Sequence, residues 1–323
     1  MIVLRGALLD DYQRVALEAA DWSRLAGEVA MTAFDRAFGD EAEVVRELAP
    51  FDIVVAMRER TRFPAAVIDA LPALRLLVTT GMANAAIDLA AAARRGVTVC
   101  GTGSHPGTAA EHTWALILAL VRRLGDELPA MRAGAWQTTV GRSLAGATLG
   151  IVGLGKVGAR VAAVGCAFGM RVVGHSRGLT AERAAELGIE RATTLGELLG
   201  RADVVTLHVT LTPQTRGLVG ARELALMKRD ALLVNTSRGP VVDEGALVAA
   251  LAAGTLGGAA LDVFDREPLP ADHPLRRTPG ILATPHLGYV TRENYRVYYG
   301  DAVDDIRAWL DRRPIRVLTP TTP

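Results

Sequence analysis

Three side chains in the second half of the chain are of types that handle a small anion and a proton. Arg238 lies in Leu233-Val234-Asn235-Thr236-Ser237-Arg238-Gly239-Pro240, and its planar guanidinium matches a carboxylate in two-point contact. Glu267 stands in Val263-Phe264-Asp265-Arg266-Glu267-Pro268, and His286 in Thr284-Pro285-His286-Leu287-Gly288. A carboxylate hydrogen-bonded to an imidazole fixes its tautomer and raises the fraction that is protonated near neutral pH. Glu267 is therefore expected to partner His286, and His286 to donate a proton to a carbonyl oxygen. Singly, each residue has a plainer reading: Arg238 as a surface turn, Glu267 as a solvated acid before Pro268, His286 as a satisfied loop residue. What joins them is position, because each follows an apolar run that reads as a strand, and open α/β sheets place their ligands at such C-terminal ends.

A glycine motif supplies a second chemistry. Gly153-Leu154-Gly155-Lys156-Val157-Gly158 follows the apolar run 148–152 and opens the helix-like segment 156–168, the strand-turn-helix setting that a dinucleotide fingerprint needs. Gly153 permits the tight turn, Gly155 lets the backbone approach a pyrophosphate, and Gly158 allows close helix packing, while the helix N-terminus attracts the phosphates. The second strand of this region ends in His175-Ser176-Arg177, without the acid that an NAD site usually presents to the ribose 2′-hydroxyl. Ser176 and Arg177 suit a 2′-phosphate, so NADPH is the preferred cofactor. NAD is the alternative, with Arg177 then only a solvated turn residue. A cation for a carboxylate, a proton donor and a hydride source together amount to the needs of 2-keto acid reduction.

The elements that must position these groups follow from apolar periodicity. Strands are expected at 29–34, 53–57, 74–79 and 97–100, with helices at 65–71 and 87–95, an alternation that favours a parallel sheet with helices on its faces. His105-Pro106-Gly107 breaks the pattern ahead of an apolar helix over 108–124, and the chain is expected to cross between domains there. Strands then recur near 147–152, 170–175, 203–209, 231–236, 258–264 and 281–284, a doubly wound nucleotide fold. Asp243 can cap one intervening helix, and Gly254 suits its C-terminal end. A last helix at 291–310, with Val297, Val303, Ile306, Trp309 and Leu310 as its apolar positions, is expected to pack back on the first domain. The tail 319–323 is expected to fray.

Bulk properties narrow the class. At 323 residues two domains are the natural expectation. A net charge of +1 with 50% hydrophobic and 22% charged residues marks an ordered globule and argues against a nucleic-acid partner. The first residues lack the layout of a signal peptide. The uncharged stretch 245–261 is interrupted by Gly254, Gly257 and Gly258 and falls short of a membrane span, so a cytoplasmic protein is expected. Cys100 and Cys166 lack metal spacing and are expected to be buried and inert. His105, His112 and His273 also lack such spacing, so structural roles and no metal are expected.

With Gly146-Ala147-Thr148-Leu149-Gly150-Ile151-Val152 ahead of the glycine loop and His208-Val209-Thr210-Leu211-Thr212-Pro213-Gln214-Thr215 beyond it, the chain resembles the D-2-hydroxyacid dehydrogenases over about residues 50–290. That family includes glyoxylate/hydroxypyruvate reductases and phosphoglycerate dehydrogenase. The resemblance implies an α/β architecture of two doubly wound parallel-sheet domains. A Rossmann nucleotide-binding domain, 102–287, is inserted in a flavodoxin-like substrate domain, 1–101 with 288–323. It further implies that Arg238 binds the substrate carboxylate, that His286 is the acid/base at the substrate, and that Glu267 tunes it. Asp262 would face the nicotinamide carboxamide, with His208, Val209, Thr236 and Gly288 in the cofactor-binding set. Backbone around Gly81, Met82 and Ala83 would donate to the substrate carboxylate, and the enzyme would be a homodimer.

The chain departs from the family in three places. Ala85-Ala86 replace a common Asp-Asn pair before Ile87-Asp88, Thr210 stands where Pro is common, and Tyr289 lies in a segment of usually small residues. Arg58 and Thr61 match cleft-lining positions of relatives, and Arg58 is a candidate for a second anionic group, against a charged-loop reading in which Glu59 compensates it. Thr79 replaces the Arg of phosphoglycerate dehydrogenases, and no regulatory domain is expected, which favours glyoxylate or hydroxypyruvate. Two alternatives stay open: a formate- or phosphite-type dehydrogenase, though Glu267 replaces the Gln of the former, and a nucleotide-sensing binding or corepressor protein without turnover.

Overall fold

The structure is a computed structural model that describes residues 3–320. Its contacts divide the chain into two compact units: one runs to Pro106 and resumes at Val290, and the other is Gly107–Tyr289.

In the first unit, β1 (Leu4–Leu8), β2 (Val29–Ala33), β3 (Ile53–Ala56), β4 (Leu76–Thr79) and β5 (Thr98–Gly101) form one parallel sheet in the order β2-β1-β3-β4-β5. This is the flavodoxin-like order. Strands covered on both faces read as continuous apolar runs, and β3 and β4 are buried at every residue. β1 was not foreseen, because Arg5 and Gly6 interrupt its apolar run. The helix Arg292–Leu310 returns to this unit and packs near β4. Val303 and Ile306 are buried on it as expected, whereas Val297, Trp309 and Leu310 are only half-buried, and Tyr295, Tyr298, Tyr299 and Ala302 fill out the buried face with Asn294 and Asp305. Of the tail expected to fray, Thr319 and Pro320 are in neither helix nor strand, and 321–323 lie outside the described residues.

The second unit holds β6 (Thr148–Val152), β7 (Arg171–His175), β8 (Glu190–Arg191), β9 (Val204–Leu207), β10 (Leu232–Asn235), β11 (Gly258–Leu261) and β12 (Ile281–Ala283). All pair in parallel in the order β12-β11-β10-β9-β6-β7-β8, the Rossmann arrangement with a seventh strand. Side chains alternate between two cores. Val204, Leu232, Val234 and Ala260 join one with helix Thr108–Val121, and Val205, Leu233, Ala259 and Leu261 join the other. The order reverses between β6 and β9, and the ends of those strands form the crevice where such sheets bind ligands.

Two expectations are corrected here. The single helix over 108–124 is two, Thr108–Val121 and Leu124–Arg132, because Arg123 takes a left-handed conformation at φ 54° between them. Cys100 is buried as expected, but Cys166 is exposed, since its turn of helix Lys156–Ala167 faces outward. Asp243 does cap helix Glu244–Ala252, accepting from the Ala246 N–H at 2.9 Å, and Gly254 follows it at φ 64°. Among the described residues, no helix is long and apolar enough to cross a membrane.

Candidate active site

The glycine loop after β6 is closed on its protein side and open on the other. Gly153 has φ 98°, and a β-carbon there would stand 2.5 Å from the His208 carbonyl oxygen. One at Gly158 would collide with the Gly153 carbonyl, so the helix Lys156–Ala167 sits against the turn as closely as backbone allows. One at Gly155 would meet nothing within 4 Å. The open face lies where Lys156 and Val157 begin the helix and its first N–H groups lack partners within it, which fits a dinucleotide pyrophosphate. Leu154 packs beside Gly174, and Val209 lies against Gly153.

His208 follows β9 and bonds Thr206 Oγ through Nε2 at 3.0 Å. Burial of the ring pushes its pKa down to about 4, so the imidazole beside the glycine loop is neutral at physiological pH. At the end of β7, the His175 carbonyl accepts from the Gly153 N–H at 2.9 Å. Ser176 is half-buried, Arg177 is exposed, and no carboxylate occupies these positions. Thr236, after β10, bonds Thr113 Oγ at 2.8 Å. Thr113 spends its own proton on the Ala109 carbonyl at 2.7 Å, so the Thr236 hydroxyl is the donor between them.

The structure brings Glu267 and His286 together: Glu267 Oε2 lies 2.5 Å from His286 Nδ1, while Oε1 accepts from the Phe264 N–H at 3.0 Å. The carboxylate is thus fixed by its own loop before it meets the ring, and the Tyr289 ring packs in a T-shaped arrangement with it, centroids 5.4 Å apart. His286 has φ 56°, a left-handed backbone that a residue with a β-carbon rarely adopts.

Asp262, which is 1% exposed, accounts for that conformation. It accepts from the N–H groups of Leu287 (2.7 Å) and Gly288 (2.8 Å), from Thr284 Oγ (2.6 Å) and from His112 Nε2 (3.1 Å). Burial pushes its pKa up, but the bonds from His112 and Thr284 outweigh it and hold the carboxyl below its usual range. Asp262 therefore grips the chain on both sides of His286, a role the sequence did not announce.

Arg238 follows β10, half-buried, with Nη1 donating to the Ser237 carbonyl at 2.7 Å and its own carbonyl accepting from Asn235 Nδ2 at 2.9 Å. A side chain at Gly239 would overlap the Phe264 backbone. The Arg238 turn is thereby seated on the turn that carries Glu267.

In the first unit, Arg58 lies over Gly81: its Nη1 reaches the Thr80 carbonyl at 3.4 Å, and Gly81 has φ 96°. Met82 is exposed and Ala83 follows it on the same loop. Where the Asp-Asn pair was absent, Asn84 holds the loop, donating to the Arg58 carbonyl (2.6 Å) and Thr79 Oγ (2.8 Å) and accepting from the Ala86 N–H (2.8 Å). Thr61 is turned inward, its hydroxyl donating to Asp10 at 3.0 Å. Asn84 was not anticipated from the sequence, and His112, expected in a structural role, bonds Asp262. Asn84 had a signal, since it directly precedes the substituted Ala85-Ala86.

Comparison with known proteins places these features in a family. The model for the D-isomer specific 2-hydroxyacid dehydrogenase NAD binding domain matches residues 114–288. A glyoxylate reductase of Aeropyrum pernix is 44% identical over 232 residues, 69% of either chain. A D-3-phosphoglycerate dehydrogenase of Methanocaldococcus jannaschii is 37% identical over 254 residues, covering 78% of this chain and 48% of that enzyme, so this chain spans about half of that relative's length. A crystal structure of a phosphoglycerate oxidoreductase from Vibrio cholerae matches with a TM-score of 0.91 at 38% identity, over 96% of this chain and 100% of that one.

Proposed function

The chain belongs to the D-isomer specific 2-hydroxyacid dehydrogenase family, and we propose that within it the protein reduces a small unphosphorylated 2-keto acid, glyoxylate or hydroxypyruvate, preferring NADPH to NAD. Membership makes it a nicotinamide-dependent oxidoreductase acting on the CH–OH group of small 2-hydroxy acids. The observation that carries the reductase reading is the 2.5 Å pair between His286 Nδ1 and Glu267.

Because Nδ1 is engaged by the carboxylate, proton transfer falls to Nε2, which gives its proton to the carbonyl oxygen during reduction and takes it back in the reverse direction. Glu267 stabilises the imidazolium and keeps the ring in one orientation. The Arg238 guanidinium holds the substrate carboxylate, turning the carbonyl toward His286. The nicotinamide, when bound, supplies a hydride. Its dinucleotide would be held by Gly153, Leu154, Gly155, Lys156, Val157 and Gly158, with His208, Val209, Thr236, Asp262 and Gly288 completing the set. Ser176 and Arg177 would receive the 2′-phosphate of NADPH, supported by the absence of an acid at the end of β7.

In the second unit, Arg238 and His286 are assigned to the substrate; in the first unit, Arg58, Gly81, Met82 and Ala83 lie together on one loop cluster and are assigned to bind an anionic group. The preference against a phosphorylated substrate is supported by Thr79, which is fully buried and occupied by Asn84, and so offers a phosphate no charge. We further assign the protein to the cytoplasm as a homodimer. The helix Leu124–Arg132 buries none of its residues, and it and the stretch after it expose Leu128 (56%), Met131 (58%), Trp136 (74%) and Val140 (90%), more apolar surface than a monomer commonly leaves on one arm.

The test is the loss of NADPH and, separately, NADH absorbance with glyoxylate, hydroxypyruvate, pyruvate, phenylpyruvate and 3-phosphohydroxypyruvate. Faster turnover with NADPH and with the first two acids is expected. Turnover confined to the phosphorylated acid, or equal use of NADH, would overturn the substrate or the cofactor assignment respectively. Binding of nicotinamide nucleotide without reduction of any acid would return the sensor alternative.

A further inference from the structure

His112 is remote in sequence from every residue assigned to the chemistry, yet its ring is inserted where the His286 loop is anchored. It lies on helix Thr108–Val121 with 16% of its side chain exposed, and Nε2 is 3.1 Å from both Asp262 Oδ1 and Thr284 Oγ. Thr284 in turn donates to Asp262 Oδ1 at 2.6 Å. An ionised carboxylate only accepts, so Nε2 carries the ring proton and shares it between the carboxylate and the Thr284 oxygen. The same carboxylate takes the N–H groups of Leu287 and Gly288. His286 therefore sits between residues that are all tied to one buried carboxylate.

We propose that His112 is a positioning residue for the reaction: by bonding Asp262 and Thr284 at once, it locks the anchor that holds His286 in its left-handed conformation against Glu267. The inference deepens the reading of His286 as the acid/base and rests on it for its kinetic consequence alone. Three features carry it. The ring bridges two groups on different segments, Asp262 and Thr284; the bonds of Asp262 to Thr284, Leu287 and Gly288 bracket His286; and the conformation so held costs free energy unless its surroundings impose it.

The bridging nitrogen can be imitated. The side-chain amide of Gln reaches the position of Nε2 with a donor, whereas Leu fills similar space without one. In His112→Leu, amide hydrogen exchange at Leu287 and Gly288 is expected to rise about tenfold, the scale of one lost hydrogen bond. Its kcat is expected to fall by a similar factor with KM for the keto acid changed less than about twofold. His112→Gln should restore both to within about threefold of the wild type. Unchanged exchange in His112→Leu, or an equal defect in His112→Gln, would overturn the proposal, because either result makes the ring only a space filler. If the wild type reduced no keto acid, the proposed activity would fail, and the exchange measurement would still decide the role of His112.

Discussion

Arg58 and His286 both hold left-handed backbone, at φ 53° and 56°, a conformation that costs a residue with a β-carbon on the order of 1 kcal/mol or more. Each is held by named partners: Asn84 at the Arg58 carbonyl, and Asp262 on either side of His286. Pre-organisation of this kind predicts that charge at the His286 pair matters beyond shape. Glu267→Gln keeps the volume but loses the negative charge beside Nδ1, and kcat is expected to fall about a hundredfold or more, with the dissociation constant of the nucleotide unchanged. Arg177→Asp should place an acid at the end of β7 and move the NADPH/NADH ratio of kcat/KM toward NADH by at least about tenfold. A wild-type ratio in that variant would make Arg177 a solvated turn residue. The pairing of Glu267 with His286 was legible in the sequence because each follows a strand in a recognisable motif. His112 was not, since its meaning depends on Asp262, 150 residues away.

Among the elements, helix Arg292–Leu310 carries a buried charge with a visible consequence. Asp305 is fully buried and accepts from Arg316 Nε at 3.0 Å, while its Oδ2 has no hydrogen-bond partner among the described residues. Burial pushes its pKa up to about 7, opposed by Arg316 and aided by Asp301 and Asp304. The folded chain thus keeps a proton on Asp305 that the unfolded chain loses near the ordinary aspartate value of 3.8. Between about pH 4 and pH 7 this group's contribution to stability declines as pH rises, and the penalty is complete above that window. Asp305→Asn should flatten that dependence and be more stable than wild type at pH 8 by roughly 1 kcal/mol or more, as measured by urea unfolding at pH 5 and pH 8. The parallel strands were legible as apolar runs, and helix Glu244–Ala252 by its cap. β1 and the inner face of Arg292–Leu310 were not: Arg5 and Gly6 disguise the one, and the buried Tyr rings read as polar on the other.

At the scale of the whole molecule, the two sheets follow the two common doubly wound orders, and in the second unit the glycine loop and His208 meet at the reversal between β6 and β9. The apolar arm around Trp136 and Val140 predicts self-association. Replacing both with Glu should convert a dimer to a monomer in sedimentation equilibrium, with the thermal midpoint of the remaining fold still cooperative. A wild type that sediments as a monomer would remove the dimer assignment. The central claim is that His286 moves the proton while the nucleotide moves the hydride. It is tested most directly by NADPH consumption with glyoxylate and hydroxypyruvate in the wild type and in His286→Ala, with nucleotide binding followed by fluorescence in both. Turnover in the wild type, loss of about a hundredfold or more in kcat in the variant, and equal nucleotide affinity are the predicted results. Comparable turnover in His286→Ala would contradict the assignment of the proton to His286.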